Sequence, residues 1–111
     1  MVVDAGTRLL FVSGQVPRGL DGETVGEGDM TAQAEVVFGS LAKVLAAHGT
    51  DFNSAIKATI FVTDMDRAGE VAEVRARHYG DARPASTFVE VSALGDPRWL
   101  LEVELVAAIP A

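Results

Sequence analysis

The sequence predicts a sandwich of the α/β or α+β class, with two helices on one face of a sheet. Three observations carry this. The hydrophobic pattern runs strand, helix, strand, helix, strand, strand, an order in which apolar faces are buried between layers. Two segments repeat apolar residues at the three-and-four spacing of a single helix face. The remaining ordered segments are short and rich in β-branched and aromatic residues. With 111 residues there is room for one core, because a chain of this size buries roughly two thirds of its extended surface. One domain therefore spans residues 1–111.

Residues 9–13 form a short apolar strand that ends at Gly14. Pro17, Gly19, Gly22, Gly26 and Gly28 then mark an irregular loop over residues 15–28. Asp29 is placed to cap the next helix, along which Ala34, Val37, Phe38, Leu41, Val44 and Leu45 share a face. Gly49 supplies its stop. Residues 55–62 read as a second strand, and Asp64 or Asp66 opens a second helix through Tyr79, with Ala68, Val71, Ala72 and Arg75 along one side. Gly80 ends it. Residues 83–91 and 99–107 read as two adjacent strands across a Leu-Gly-Asp-Pro connection.

Side chains alternate between the faces of a strand, which sorts these residues into rows. Leu10 and Val12, then Ile56, Ala58, Ile60 and Val62, then Leu101, Val103 and Leu105 are purely apolar and suit the helices. The opposite rows hold Leu9, Phe11 and Ser13; Lys57, Thr59 and Phe61; Ser86, Phe88 and Glu90; and Glu102 and Glu104. Phe11, Phe61 and Phe88 thus fall on a face that no helix is available to cover. A contiguous apolar patch of this kind marks an interface, and a closed homo-oligomer covers it economically.

Composition narrows the function classes. Sixteen acids against nine bases give a net charge of −7, which opposes phosphate backbones and anionic membranes. Neither nucleic acid nor membrane is an expected partner. No run approaches the ~20 apolar residues of a membrane span, and Met1 to Gly6 lack the basic and apolar regions of a secretory signal. The absence of cysteine rules out thiolate metal sites and fits a cytoplasmic protein. His48 and His78 have no ligand spacing with one another, and a helix start accounts for Asp64 and Asp66. No metal site is expected. Gly26-Glu27-Gly28-Asp29 lacks the lysine of a phosphate loop and carries acids instead. Ser13 is no nucleophile elbow, since Phe11 stands where that turn needs glycine.

The most specific stretch is Arg83-Pro84-Ala85-Ser86-Thr87-Phe88-Val89-Glu90-Val91, followed by Leu94-Gly95-Asp96-Pro97 and by Glu102-Val103-Glu104. Together with Phe11-Val12-Ser13-Gly14-Gln15-Val16-Pro17 and Ile60-Phe61-Val62-Thr63-Asp64-Met65, it resembles the Rid/YjgF family, the reactive-intermediate deaminases. The likeness covers nearly the whole chain. It implies an α+β, chorismate-mutase-like sandwich with a mixed sheet, two helices on one face and a homotrimeric assembly. It also implies a small-molecule metabolite as partner, no cofactor, and ligand clefts between subunits built from Ser13, Ser86, Phe88 and Glu102.

Within that resemblance Glu102 is the catalytic candidate: it holds and activates water while an imine or enamine is hydrolysed. A carboxylate facing a partly apolar interface suits acid–base work near neutrality; from the strand alone, a solvated glutamate like Glu104 is the plainer reading. Ser13 corresponds to a serine that hydrogen-bonds the substrate, although a serine at a strand end also serves local backbone groups. Ser86 departs from the pattern. Deaminating relatives carry there an arginine that grips the substrate carboxylate in a bidentate pair, which serine cannot make. Ala72 stands where an asparagine is expected, Phe88 where many members have cysteine, and an expected tyrosine lies before the start of this chain. Arg83 and Arg98 are the nearby charges, and Trp99 is expected beside the last strand. Two readings follow: an imine/enamine hydrolase, or a small-molecule-binding protein that kept the cleft and lost the clamp. Endoribonuclease activity, a third, is opposed by the charge.

Overall fold

Asp29 opens the first helix as its position predicts, its Oδ1 accepting from the Ala32 N–H at 3.0 Å. The structure is a computed structural model that describes residues 1–109. Its elements run β1 (Arg8–Gln15), α1 (Met30–Ala47), β2 (Ala55–Val62), α2 (Ala68–Tyr79), β3 (Ala85–Glu90) and β4 (Leu101–Ile109). Met30, Ala34, Val37, Phe38, Leu41 and Leu45 form the buried stripe of α1. At roughly 1.5–3 kcal/mol for each large apolar side chain removed from water, that stripe outweighs any intrinsic helix preference. Gly49 closes the helix with a φ of 74°, a conformation that costs other residues a steric clash.

Asp64 caps a short 3-10 turn over Met65–Arg67, and α2 proper starts only at Ala68. The expected helix start therefore resolves into two steps. Val71, Val74 and Tyr79 face the core, whereas Ala72 and Arg75 turn toward the edge of the sheet, where they meet β3 residues across a cleft.

The sheet order is β1-β4-β2-β3. β4 pairs antiparallel with both β1 and β2, and β2 pairs parallel with β3, so the sheet is mixed and the two helices share one face in the chorismate-mutase-like arrangement. β3 and β4 are consecutive in the chain but not paired, since β2 lies between them. The segment joining them crosses the end of β2, where Val91 donates to Val62 O at 2.8 Å and Thr63 to Leu100 O at 3.1 Å. β1 runs on to Gln15 instead of ending at Gly14, with a bulge between Val12 and Gln15. A second irregularity between Ala55 and Lys57 takes Ile56 out of the buried row it was expected to join.

Register corrects one expected face. Ser86 lies beside Ala58, and Phe88 beside Ile60, and both β2 residues are fully buried under the helices. Ser86 and Phe88 therefore stand on the helix side. Phe88 packs against the core margin beneath the Arg75 guanidinium, 6.0 Å from its ring centre. Thr87 and Val89 take the open face, beside Thr59 and Phe61. Alternation alone gives two sets of residues for a strand, and only its register with a neighbour says which set is inside. The open face thus carries two phenylalanines, Phe11 and Phe61, rather than three.

Gln33 is the one fully buried polar side chain among the described residues. Its Nε2 donates to Gly26 O at 3.2 Å and to Arg98 O at 2.9 Å, and its Oε1 accepts from Leu100 N–H at 2.8 Å. Helix α1 thereby holds both the glycine loop and the entry to β4. Trp99 reinforces the junction: it is 8% exposed, its Nε1 donates to Thr24 Oγ1 at 3.1 Å, and Arg18 covers its ring at 4.9 Å. We predict that Gln33→Leu, which leaves the Arg98 carbonyl and the Leu100 N–H without their partner while Gly26 O keeps the Asp29 N–H, destabilises the protein by about 3 kcal/mol. Thermal unfolding monitored by circular dichroism should show a midpoint lower by about 10 °C or more; an unchanged midpoint would mean that water replaces the amide freely.

Candidate functional site

The sheet divides the expected site residues. Glu102 and Ser13 lie on the open face, and Ser86 and Phe88 lie on the helix side at the β3 edge. Glu102 stands opposite Phe61 in the β4–β2 pair and reaches across to β1, where its carboxylate rests over Gly14. A Cβ at Gly14 would overlap that carboxylate, so the bare glycine is what lets the acid lie flat on the strand. Ser13 adjoins this spot within the bulge. Glu102 is half-buried, whereas Glu104, two residues on, is exposed beside a shallow groove shared with Phe11, Lys57 and Thr59. The two strand acids are therefore not equivalent. One is sheltered and positioned; the other is solvated.

On the helix side, α2 and the start of β3 enclose a cleft of about 290 Å³. Ala72, Arg75 and Tyr79 line it from the helix, and Arg83 and Ser86 from the chain entering β3. Ala72 and Ser86, the two positions at which the resemblance implies an asparagine and an arginine, thus face one space. Arg83 donates through Nη1 to Gly80 O at 2.8 Å and Ala82 O at 2.7 Å, which orients it without neutralising it. Arg98 is not part of this cleft. It forms a bidentate pair with Asp96 at 3.0 and 2.8 Å, and that guanidinium lowers the Asp96 carboxyl to about 2. Arg75, by contrast, enters the cleft without having been singled out in the sequence. The signal was present in the spacing of Ala72, Arg75, Ala76 and Tyr79, one stripe of α2.

Tyr79 joins the cleft to the core. Its ring packs against Phe52 at 5.1 Å and edge-on to Phe38 at 5.9 Å. Its hydroxyl is buried without a hydrogen-bond partner. Burial raises its pKa, an effect that the Arg75 charge partly offsets. Among the described residues, no cluster of His, Asp or Glu is arranged to hold a metal ion, and no helix is long and apolar enough to cross a membrane.

A mixed four-stranded sheet with two helices on one face is also the architecture of the solved structures this chain resembles. A protein from Thermotoga maritima described as a putative endoribonuclease superposes with a TM-score of 0.86 at 36% identity, over 98% of this chain and 84% of that one. A Mycobacterium tuberculosis member of the YjgF/YER057c/UK114 family gives 0.78 at 32%, over 91% and 79%. The family model described as Endoribonuclease L-PSP matches residues 2–109, and this chain belongs to that family, the Rid/YjgF family. Among its relatives, Protein DfrA of Myxococcus xanthus is 47% identical over 94 residues, covering 83% of this chain and 70% of that protein. The mouse 2-iminobutanoate/2-iminopropanoate deaminase is 35% identical over 104 residues, covering 90% and 73%.

The fit of Glu102 over Gly14 generates a direct test. Gly14 has a negative φ, so alanine is acceptable to the backbone, and the flexible carboxylate is what must move. We predict that Gly14→Ala lowers the unfolding midpoint by less than about 4 °C while shifting the Glu102 side-chain carboxyl resonance. A resonance unchanged from the parent would mean that the carboxylate does not lie on Gly14.

Proposed function

We propose that this protein hydrolyses the C=N bond of small imines and of their enamine tautomers, at a site completed between two subunits of a homotrimer. The observation that carries this reading is the placement of Glu102: a sheltered carboxylate, held beside Ser13 on a sheet face that the fold itself leaves uncovered. In the proposed reaction an enamine is first protonated on carbon to give the iminium. Glu102 then takes a proton from water as its oxygen attacks the C=N carbon, forming a carbinolamine. Protonated Glu102 passes that proton to nitrogen, ammonia leaves, and the hydroxyl proton shed as the carbonyl forms returns to solvent in place of the one taken up at carbon, so one water is consumed and one ammonia released. A positioned base of this kind contributes about 10²–10⁴-fold. Ser13 supplies a hydroxyl to orient the substrate. The similarity to the mouse deaminase supports the reaction class.

Two features support the assembly. Leu9 is 42% exposed and Phe11 73% exposed on the open face, a patch that a second copy would cover. Ser86 and Phe88 are on the other side of the sheet from Glu102, so a cleft using both sets draws them from different subunits, the β3 edge of one lying near the open face of the next. Ser86 favours the second reading, a metabolite-binding protein, since it provides no planar cation for a substrate carboxylate. The net charge of −7 speaks against RNA as the substrate.

Light scattering after size exclusion should give three times the 11.7 kDa chain mass; a monomer would contradict the shared site. With 2-iminobutanoate generated in place, keto-acid release should exceed the spontaneous rate, and Glu102→Gln should lower it by about a hundredfold. Equal rates for the two proteins would remove Glu102 from the chemistry. Binding without turnover would favour the second reading.

A further inference from the structure

The cleft between α2 and β3 brings two arginines together in an acidic molecule, with no Asp or Glu among the described residues that line it. The chain has sixteen acids and nine bases, and three of its arginines form ion pairs with nearby acids. Arg67 pairs with Glu70, Arg77 with Glu35 and Arg98 with Asp96. Arg75 makes no ion pair among the described residues and instead stands over the Phe88 ring. Arg83 spends one nitrogen on the carbonyls of Gly80 and Ala82. Both arginines line the same cleft, and no Asp or Glu lines it with them. Tyr79 also lines it and carries the buried, unpartnered hydroxyl.

We infer that Arg75 is the carboxylate-selecting residue of this cleft, with Arg83 on the opposite wall and the hydroxyl of Ser86 completing the donor set. The charge that position 86 does not provide comes from α2 instead. A guanidinium lying on an aromatic ring keeps its N–H edge free for an acceptor, and a space of about 290 Å³ suits an organic acid of a few carbons. This deepens the proposed function, resting on that reading only for the claim that the bound acid is also the reactant. The binding claim stands or falls by itself.

The test is a titration of uniformly labelled full-length protein with propionate, propionamide and inorganic phosphate, read from backbone amides and the Arg75 Nε–H resonance. Propionate should shift Ala76, Ser86 and Arg75 Nε–H, while propionamide should leave them in place and phosphate should bind more weakly. Arg75→Gln should weaken propionate by about tenfold, as expected on losing a charge-assisted pair, and Arg75→Lys should recover part of that loss. Lys43→Gln, an exposed cation outside this cleft, should bind propionate as the parent does, and because the readout is binding and not turnover it is separate from the catalytic claim. Equal affinity for acid and amide, tighter binding of phosphate, an unshifted Arg75 Nε–H in the parent protein, or full binding by Arg75→Gln would each overturn the assignment. Should Arg75→Gln unfold, the parent titration and Arg75→Lys still decide.

Discussion

A sheet with helices on one side only is the constraint from which the rest of this structure follows. Ala58, Ile60, Val62, Leu101, Val103 and Leu105 are buried because α1 and α2 lie on them. The alternating partners of those residues are thereby committed to the other face, where the fold has nothing left to place. That is why Phe11 is largely exposed in the single chain, and why Glu102 stands in a surface that is both partly apolar and sheltered. The same parity separates Glu102 from Ser86 by the thickness of the sheet. Any function that needs both must use two copies.

The junction at Gln33 keeps this geometry in register. One side chain, through three hydrogen bonds, ties the glycine loop and the start of β4 to α1, and β4 carries Glu102. Trp99 fills the same corner, packed against Gly95 and bonded to Thr24. The loop that looks irregular in sequence is thus anchored at both ends. Its glycines serve turns where φ is positive, as at Gly26 with a φ of 64°. Hydrogen bonding, rather than hydrophobic pattern, places the segment that leads into the catalytic candidate.

Much of the architecture was legible in the residues. Asp29 and Gly49 bounded α1, the apolar rows of β2 and β4 identified their buried faces, and the Rid/YjgF resemblance supplied the sheet class. What was not legible depended on neighbours. Ser86 and Phe88 could be sorted into a row but not onto a face, because that needs the β2–β3 register. The separation of β3 from β4 required knowing that β2 inserts between them, which short-range pattern does not encode. Arg75 was read only as one residue of a helix side. Its importance comes from what is missing around it, an acid, and sequence spacing carries no information about an absent partner.

The central claim is that a working site draws Glu102 from one subunit and the α2–β3 cleft from another, and subunit mixing tests it most directly. Glu102→Gln and Arg75→Gln proteins, each impaired alone, would be co-expressed with different tags and their mixed oligomers isolated. Hydrolysis of 2-iminobutanoate should return in the mixed trimers at about a third of the parent rate per subunit, because a mixed trimer of either composition has one interface of three that unites an intact Glu102 with an intact Arg75. Mixed oligomers of normal mass that remain as impaired as either variant would contradict it, since both groups would then have to act within a single chain.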